Sequence, residues 1–172
     1  MSPSVATLAD LAGTWWVAHT KSRFEKAFAW DLHRAGIGYF LPLVKRVTFS
    51  GDRKRHVLSP LFTSYLFICG NVEDRLTALR SGRLCQTIEV PDQQKLIEQL
   101  LPIESALIMG VQLNPYPHAA VGRRCRVKSG PFLGTEGVVL KRRRLPTIVL
   151  EISVLGVSAA MEIDADLLEL ID

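Results

Sequence analysis

The region from residue 121 to residue 172 constrains the fold more than any other part of this sequence. Short runs rich in Val and Ile are separated there by turn signals at about ten-residue spacing. Regularly spaced short strands with Gly- and Pro-containing turns are typical of small all-β domains. The run TIVLEISVLGV is also rich in β-branched residues, which favour strands. We therefore predict a small β-barrel over residues 121–172.

The preceding residues alternate between strand-like and helix-like patterns. Aromatic and β-branched residues predict a strand over 14–20, and apolar residues at helical spacing predict an amphipathic helix over 23–35. Ser22 and Glu25 have the spacing of a capping box, and Gly36 marks the end of the helix.

Strand-like and helix-like segments continue to alternate over residues 38–102. Gly51-Asp52 lies between two basic, strand-like arms and predicts the tip of a hairpin. The other predicted elements are an extended segment over 38–49, a buried strand centred on Tyr65–Cys69, a helix over 72–81 with Leu76 and Leu79 inward, a strand over 83–90, and a helix capped by Asp92 and ended by Pro102. Strands and helices in this order predict an α+β fold, an antiparallel sheet with helices packed on it.

Prolines divide the chain into two domains. Pro115 and Pro117 break regular structure, so we predict a linker over residues 109–120 between a first domain over 13–108 and the barrel. Residues 1–12 are expected to form a flexible arm. With no signal-peptide pattern and no run of about 18 apolar residues, we expect a cytoplasmic protein without a membrane segment.

The sequence contains no pattern typical of catalysis. Cys69, Cys85 and Cys125 are widely spaced and odd in number, which argues against a zinc finger or a disulfide framework and favours reduced, mostly buried thiols. The four histidines have no metal-ligand spacing, and no nucleophile, phosphate-loop or dinucleotide motif is present. We therefore predict no enzymatic activity, no cofactor and no metal.

Two stretches resemble a known family. Trp15-Trp16-Val17, followed by Lys21 and a helix, resembles the opening of the NusG N-terminal domain, and Ser59–Ile68 resembles the Phe-Pro-Gly-Tyr strand of that domain. Gly122–Val139 resembles a KOW motif, whose matching residues here are Gly122, Val127, Gly130, Pro131, Phe132, Gly134 and Gly137. Their order, with a Pro-rich linker between them, resembles the NusG family over residues 13–172.

The chain departs from the housekeeping members of that family. Thr63-Ser64 replaces their Pro-Gly, and the form Leu-Phe-x-x-Tyr-Leu-Phe over 61–67 is nearer the specialised RfaH-type paralogues. The polar Thr-rich motif of those paralogues is reduced to Thr77, so the contact with the polymerase β gate loop that it makes is not expected from this sequence. The comparison favours a specialised paralogue.

The resemblance implies a monomeric transcription elongation or antitermination factor that binds RNA polymerase. An apolar pocket of the family receives the clamp helices of the β′ subunit, and the matching positions here are Phe62, Tyr65 and Phe67, with Leu96, Ile97 and Leu100 as a second wall. Strand alternation places Tyr65 and Phe67 on one face of the sheet. For each of the six candidate residues, packing in the hydrophobic core explains its apolar character as well as binding to polymerase does.

Basic residues form the second candidate surface. The resemblance places them near non-template DNA at the upstream fork, and the candidates are Lys21, Arg23, Arg34, Arg53, Lys54 and Arg55, with Lys45, Arg46 and His56 beside them. A solvated hairpin without a ligand explains the same charges. Further basic residues, Lys141–Arg144 and those within 123–128, lie on the predicted barrel. In the family this barrel recruits a small-subunit ribosomal protein or Rho.

Two alternatives stay open at this point. A ribosome-associated or RNA-binding KOW protein would explain the barrel, although it has no need of the aromatic strand at 61–67. RfaH-type proteins can also store the C-terminal domain as a helical hairpin, and the tail SAAMEIDADLLELID could support helix locally. We predict the barrel form.

Overall fold

The computed structural model describes residues 7–116, 121–140 and 145–171. The chain divides into two units, Met1–Lys95 and Leu96–Asp172. Half of the predicted arm, the end of the predicted linker and the basic run Lys141–Arg144 lie outside the described residues. The domain boundaries expected from the sequence, 13–108 and 121–172, stay a prediction.

The first unit contains six strands and two helices. They are β1 (Thr14–Thr20), α1 (Glu25–Arg34), β2 (Gly38–Phe40), β3 (Leu43–Ser50), β4 (Arg53–Pro60), β5 (Tyr65–Gly70), α2 (Val72–Leu79) and β6 (Leu84–Glu89). Four of the strands form an antiparallel sheet in the order β2-β5-β1-β6, while β3 and β4 form a separate hairpin. The buried central strand predicted at Tyr65–Cys69 is β5, which pairs on both sides.

Helices α1 and α2 pack on one face of the four-stranded sheet. Side chains of adjacent strands that lie directly opposite each other share a face, so Ala18 of β1 and Leu66 of β5 point the same way. Both belong to an apolar core whose other members include Phe28 and Leu32 of α1 and Ala78 of α2. We call this side of the sheet the helix-covered face.

Helix α1 begins later than predicted, and the Ser22–Glu25 capping box is wrong. Arg23 has a positive φ of 66°, and Phe24 occupies the N-cap position without a side-chain cap. The Glu25 carboxylate instead accepts a hydrogen bond from the backbone N–H of Ser64 at 2.8 Å. A partner distant in sequence has displaced the local cap.

The inward face predicted for α2 is wrong at Leu79. In α2 the buried residue is Ala78, whereas Leu79 is exposed, because the inward face of this short helix includes Ala78 and turns Leu79 toward solvent.

Helix α3 (Gln93–Ile108) continues beyond Pro102, where we had expected it to end. Proline inside a helix removes one backbone hydrogen bond and typically costs about 3 kcal/mol. Continued burial of Ile103 and Ala106 after it offsets that cost.

The cap of α3 agrees with the sequence. The Asp92 carboxylate accepts a hydrogen bond from the N–H of Lys95 at 3.0 Å. Among the helices of the described residues, none is long and apolar enough to span a membrane.

The second unit contains the rest of α3 and a six-stranded antiparallel sheet. Its strands are β7 (Asn114–Tyr116), β8 (Arg123–Val127), β9 (Glu136–Leu140), β10 (Thr147–Ile152), β11 (Val157–Glu162) and β12 (Leu168–Leu170), in the order β12-β8-β9-β10-β11-β7. The predicted α+β class with a β-rich C-terminal domain is confirmed, and that domain is consistent with a KOW domain. The tail that could have supported helix forms β11, a 3-10 turn and β12.

Strand β7 lies inside the segment expected to be a linker. It pairs with β11 through Asn114, Pro115 and Tyr116. Proline is tolerated there because β7 is an edge strand, whose other side has no ladder to join.

Candidate functional site

The side of the four-stranded sheet opposite α1 and α2 carries aromatic side chains. Strand register places Tyr65 and Phe67 of β5 on this side, together with His19 of β1 and Phe40 of β2. The His19 and Tyr65 rings stack with centroids 5.0 Å apart, and Phe40 lies 6.3 Å from Phe67. We call this side the aromatic face. The predicted alternation of Tyr65 and Phe67 against Leu66 and Ile68 is present.

The aromatic face differs in accessibility from residue to residue. Phe67 is fully buried and Phe62 is nearly so, with their rings edge to face at 6.4 Å. Tyr65 is half-buried, so part of its side chain is open to solvent. Phe62 and Phe67 are part of the core, and Tyr65 is the most accessible of these three predicted pocket residues.

A strained turn connects Phe62 to Tyr65. Ser64 has a positive φ of 68°, a conformation that side chains other than glycine adopt at a cost. Its N–H donates to Glu25, and its carbonyl accepts a hydrogen bond from the N–H of Thr20 at 2.8 Å. Ser64 therefore holds a left-handed backbone conformation that ordinarily favours glycine.

Glu25 is the residue at this turn whose role sequence reasoning missed. Its side chain is buried, with 5% of its surface exposed. A buried carboxylate that accepts a backbone N–H fixes the position of that backbone. The sequence showed only its spacing from Ser22, and a contact spanning 39 residues left no local signal.

The second predicted wall belongs to α3 in the second unit. Leu96 and Leu100 are buried and Ile97 is half-buried. Gln99 on the same helix donates to the Ser153 hydroxyl at 2.7 Å and accepts from the Ser153 N–H at 2.9 Å. These two hydrogen bonds tie α3 to the segment between β10 and β11, a contact that no sequence pattern indicated.

The predicted basic residues around α1 are exposed. Lys21 and Arg23 precede the helix, and Arg34 lies at its end. Arg34 forms an ion pair with Asp31 at 2.9 Å, and the same carboxylate accepts from Arg83 at 3.0 Å. Arg83, which the sequence did not single out, also lies over the Phe24 ring at 5.2 Å.

The hairpin of β3 and β4 presents the other predicted basic residues. Its tip is at Gly51, where a φ of 61° suits glycine, and the strands pair from Leu43↔Pro60 to Ser50↔Arg53. Arg53, Lys54 and Arg55 are all exposed on β4. None of the three forms an ion pair with another described residue.

Two basic residues of β8 are engaged by acidic side chains. Glu136 on β9 accepts from Arg126 at 2.7 Å and from Arg124 at 3.1 Å, and Arg126 also lies 3.7 Å from Glu169. The hydrogen bond from Arg126 is the main cause that lowers the pKa of Glu136 and raises the pKa of Arg126. Of the basic residues predicted over 123–128, Arg123 on β8 and Lys128 just after it form no ion pair with another described residue.

The segment 122–139, predicted to be a KOW motif, contains β8, the turn that follows it and most of β9. Gly130 and Gly134 have positive φ values of 84° and 87°, and the N–H of Gly134 donates to the Val127 carbonyl at 2.8 Å. Pro131 is exposed and Phe132 half-buried in that turn, and Val127 is buried. Gly122 lies at the start of β8, where a Cβ would meet the backbone of Val139.

Gly137 has a different reason to be glycine. A Cβ at this position would lie 2.5 Å from the carbonyl oxygen of Val149 and 2.8 Å from a side-chain carbon of Ile148. The backbones of β9 and β10 therefore approach each other where only a hydrogen fits.

The three cysteines are unpaired and differ in exposure. All three cysteines are free; burial raises the pKa of Cys69 and of Cys125, while Cys85 is exposed. In the part of the chain that the structure describes, no group of three or more His, Cys, Asp or Glu side chains could hold a metal ion.

Comparison with known proteins gives one family match. The family model described as "Transcription termination factor nusG" matches residues 13–106. The fold is similar to a structure described as "Domain interaction in Thermotoga maritima NusG", with 16% identity, coverage of 92% of this chain and 97% of that chain, and a TM-score of 0.54. A second match, "Crystal Structure of MjSpt4:Spt5 complex conformation B", has 14% identity, the same two coverages and a TM-score of 0.30. No curated protein sequence matches significantly.

Proposed function

The chain belongs to the NusG family, whose model spans more than half of its residues, and we propose that it is an antitermination or processivity factor of elongating RNA polymerase. Membership of this family indicates a transcription elongation factor. Factors of the family are regulators without catalytic activity, and they interact with RNA polymerase. Our proposal adds where this chain binds the enzyme and by which residues.

The aromatic face is the observation that carries the proposal. Tyr65 is partly accessible and is held in place by stacking on His19, and Phe62 and Phe67 form an apolar floor beside it. An aromatic anchor on a rigid apolar base suits the tip of a partner helix, because buried aromatic area dominates the affinity of such contacts. The partner proposed is the pair of clamp helices of the β′ subunit near the upstream DNA fork.

Leu96, Ile97 and Leu100 of α3, in the second unit, are further proposed polymerase-binding residues. Ile97 is half-buried, whereas Leu96 and Leu100 are buried.

We further propose that the chain is a specialised paralogue of the RfaH type. The turn at Thr63-Ser64 supports this, because these residues stand where housekeeping members have Pro-Gly. The C-terminal β domain is proposed to recruit a small-subunit ribosomal protein or Rho through the exposed turn at Pro131. The protein is proposed to act as a cytoplasmic monomer.

The test is capture of purified core RNA polymerase by the immobilised full-length chain. Tyr65→Ala should weaken capture by roughly thirtyfold, since loss of an aromatic anchor typically costs about 2 kcal/mol. Leu79→Ala is the matched control, because Leu79 is also partly exposed but lies on α2, which packs on the helix-covered face. This variant should bind as the wild type does.

Two results would count against the proposal. If the folded wild type does not capture its cognate polymerase, the leading interpretation becomes an RNA-binding KOW protein. If Tyr65→Ala and Leu79→Ala behave alike, the chain binds polymerase through another surface.

A further inference from the structure

The β3–β4 hairpin is a separate two-stranded sheet. Its base is anchored, since Val44 is buried and the N–H of Leu61 donates to the Pro42 carbonyl at 2.8 Å. Every residue from Lys45 to Leu58 is exposed. Because both faces of the hairpin are in water, the apolar side chains on it do not fill a core, and their presence needs another explanation.

The strand register separates the hairpin side chains onto two faces. Directly paired residues share a face, so one side holds the three arginines of the hairpin, Arg46, Arg53 and Arg55. The other side, which we call the Phe49 face, holds the pairs Lys45↔Leu58, Val47↔His56 and Phe49↔Lys54. The arginines and the exposed aromatic ring therefore lie on different faces.

The Phe49 face carries three exposed apolar side chains at adjacent positions. Phe49 is 72% exposed, Val47 45% and Leu58 40%. Val47 and Phe49 are neighbours along this face of β3, and Leu58 on β4 is the diagonal neighbour of Val47. Single exposed apolar residues are ordinary on a protein surface, whereas adjacent ones mark an interaction site.

The chemistry of the Phe49 face distinguishes between possible partners. Aliphatic side chains such as Val47 and Leu58 offer no ring on which a base could stack, which favours a protein over unpaired nucleic acid. Lys45 and Lys54 lie at the two ends of the face, and interfaces between proteins typically have an apolar centre and a polar rim. Residues 45–58 contain five Lys or Arg and one Asp, a net charge of +4 with histidine neutral. This charge repels a second copy of the chain and attracts an acidic partner.

The outer edge of β3 is open to an additional strand. Among the described strands, β3 pairs only with β4, so the backbone groups along its other side are not used in a sheet. An extended segment that adds to this edge would place side chains opposite Lys45, Val47 and Phe49. Apolar side chains of that segment suit Val47 and Phe49, and a carboxylate suits Lys45.

We propose that the Phe49 face is a second docking surface for RNA polymerase, which binds an extended polymerase segment whose apolar side chains are flanked by carboxylates. This inference rests on the proposed function for the identity of the partner. The contact is separate from the one proposed for Tyr65, and it lies on the opposite face from the hairpin arginines.

The test is capture of nuclease-treated core RNA polymerase by the immobilised full-length chain. Phe49→Ala should weaken capture about tenfold, because aromatic residues that become buried contribute much of the affinity of an interface. Val47→Ala should weaken capture about threefold through the loss of apolar area. Val57→Ala is the matched control, because Val57 is also exposed but lies on the face of the arginines. It should be captured as the wild type is.

Charge reversal tests whether the partner segment is acidic. Lys45→Glu should weaken capture more at low salt than at high salt, because salt screens the repulsion between the new carboxylate and those of the partner. Unchanged capture of Lys45→Glu at low salt would contradict an acidic partner. Since these hairpin side chains are exposed, each variant should keep the urea midpoint of the wild type, which shows that a loss of capture is not a loss of folding.

Several results would overturn the inference. They are equal capture of Phe49→Ala and the wild type, equal effects of Val47→Ala and Val57→Ala, and a loss in Phe49→Ala that appears only when nucleic acid is left on the polymerase. The last result would assign the face to nucleic acid.

Comparison with Tyr65→Ala separates this inference from the proposed function. Weaker capture of Tyr65→Ala but not of Phe49→Ala would remove the hairpin contact and leave the contact through the aromatic face. Weaker capture of Phe49→Ala alone would do the reverse. If both contacts exist and act independently, the losses should multiply in the double variant. Failure of the folded wild type to capture polymerase would overturn both.

Discussion

Replacing Ser64 with glycine should stabilise the first unit. Ser64 has a φ of 68°, and the left-handed region costs a residue other than glycine about 1–2 kcal/mol. Glycine loses more backbone entropy on folding, which offsets about 0.5–1 kcal/mol of that gain. Both hydrogen bonds at this position use the backbone, so glycine retains them. The expected net stabilisation is about 0.5–1 kcal/mol.

Urea unfolding followed by tryptophan fluorescence measures this change selectively. The three tryptophans are Trp15, Trp16 and Trp30, all within the first unit. With a urea dependence of about 2 kcal/mol/M, the midpoint should rise by roughly 0.3–0.5 M.

The neighbouring residue of the same turn provides the control. Thr63 is exposed, and among the described residues other than glycine only Arg23 and Ser64 have a positive φ. Thr63→Gly therefore relieves no strain and should destabilise by about 0.5–1 kcal/mol. A Ser64→Gly variant destabilised as much as Thr63→Gly would refute the strain argument.

Four other expectations can be checked directly. Glu25→Ala should lower the free energy of unfolding by about 1.5–3 kcal/mol in the same urea assay, because it leaves a backbone N–H without its charged acceptor; an unchanged midpoint would show that water replaces the carboxylate. Gly137→Ala should destabilise the second unit by about 1–3 kcal/mol in thermal unfolding followed by circular dichroism, since its Cβ would meet a backbone oxygen at 2.5 Å; an unchanged melting temperature contradicts the close approach. Cys85 should react with a thiol reagent in the native protein while Cys69 reacts only in denaturant, and equal native rates would contradict the burial of Cys69. The pKa of Glu136 is lowered, so its ion pairs stabilise the protein at pH values above the ordinary carboxyl pKa of 4.5, and this contribution is lost as the pH falls through the lowered pKa. An NMR titration of Glu136 should therefore give a midpoint below 4.5. A midpoint above 4.5 excludes the ion pairs.

Much of the fold could be predicted because the relevant signals are local. Aromatic and β-branched residues predicted the strand Thr14–Thr20 with its observed bounds, and a continuous apolar run predicted the central strand at Tyr65–Cys69. The turn at Gly51 was predictable because one residue type suits its backbone conformation. The Asp92 cap was predictable for the same reason, since its partner lies three residues away.

The failures occurred where a distant partner competed with a local rule. Proline normally ends a helix, yet α3 continues past Pro102 because Ile103 and Ala106 are buried. The capping box at Ser22 was a sound local expectation, but Glu25 forms a hydrogen bond with Ser64 instead. In both cases tertiary contacts decided between two locally acceptable structures.

Some features of the candidate functional site follow from the sequence, and others depend on tertiary contacts. The sequence by itself determined which strand carries Tyr65 and Phe67 on one face, and that the hairpin is basic, because alternation and charge are properties of the chain. Only the tertiary structure decided that Tyr65 is accessible while Phe67 is buried, and that Gln99 bonds to Ser153 across 54 residues. Burial and long-range hydrogen bonds depend on which surfaces meet, and that is a property of the packed molecule rather than of any segment in it.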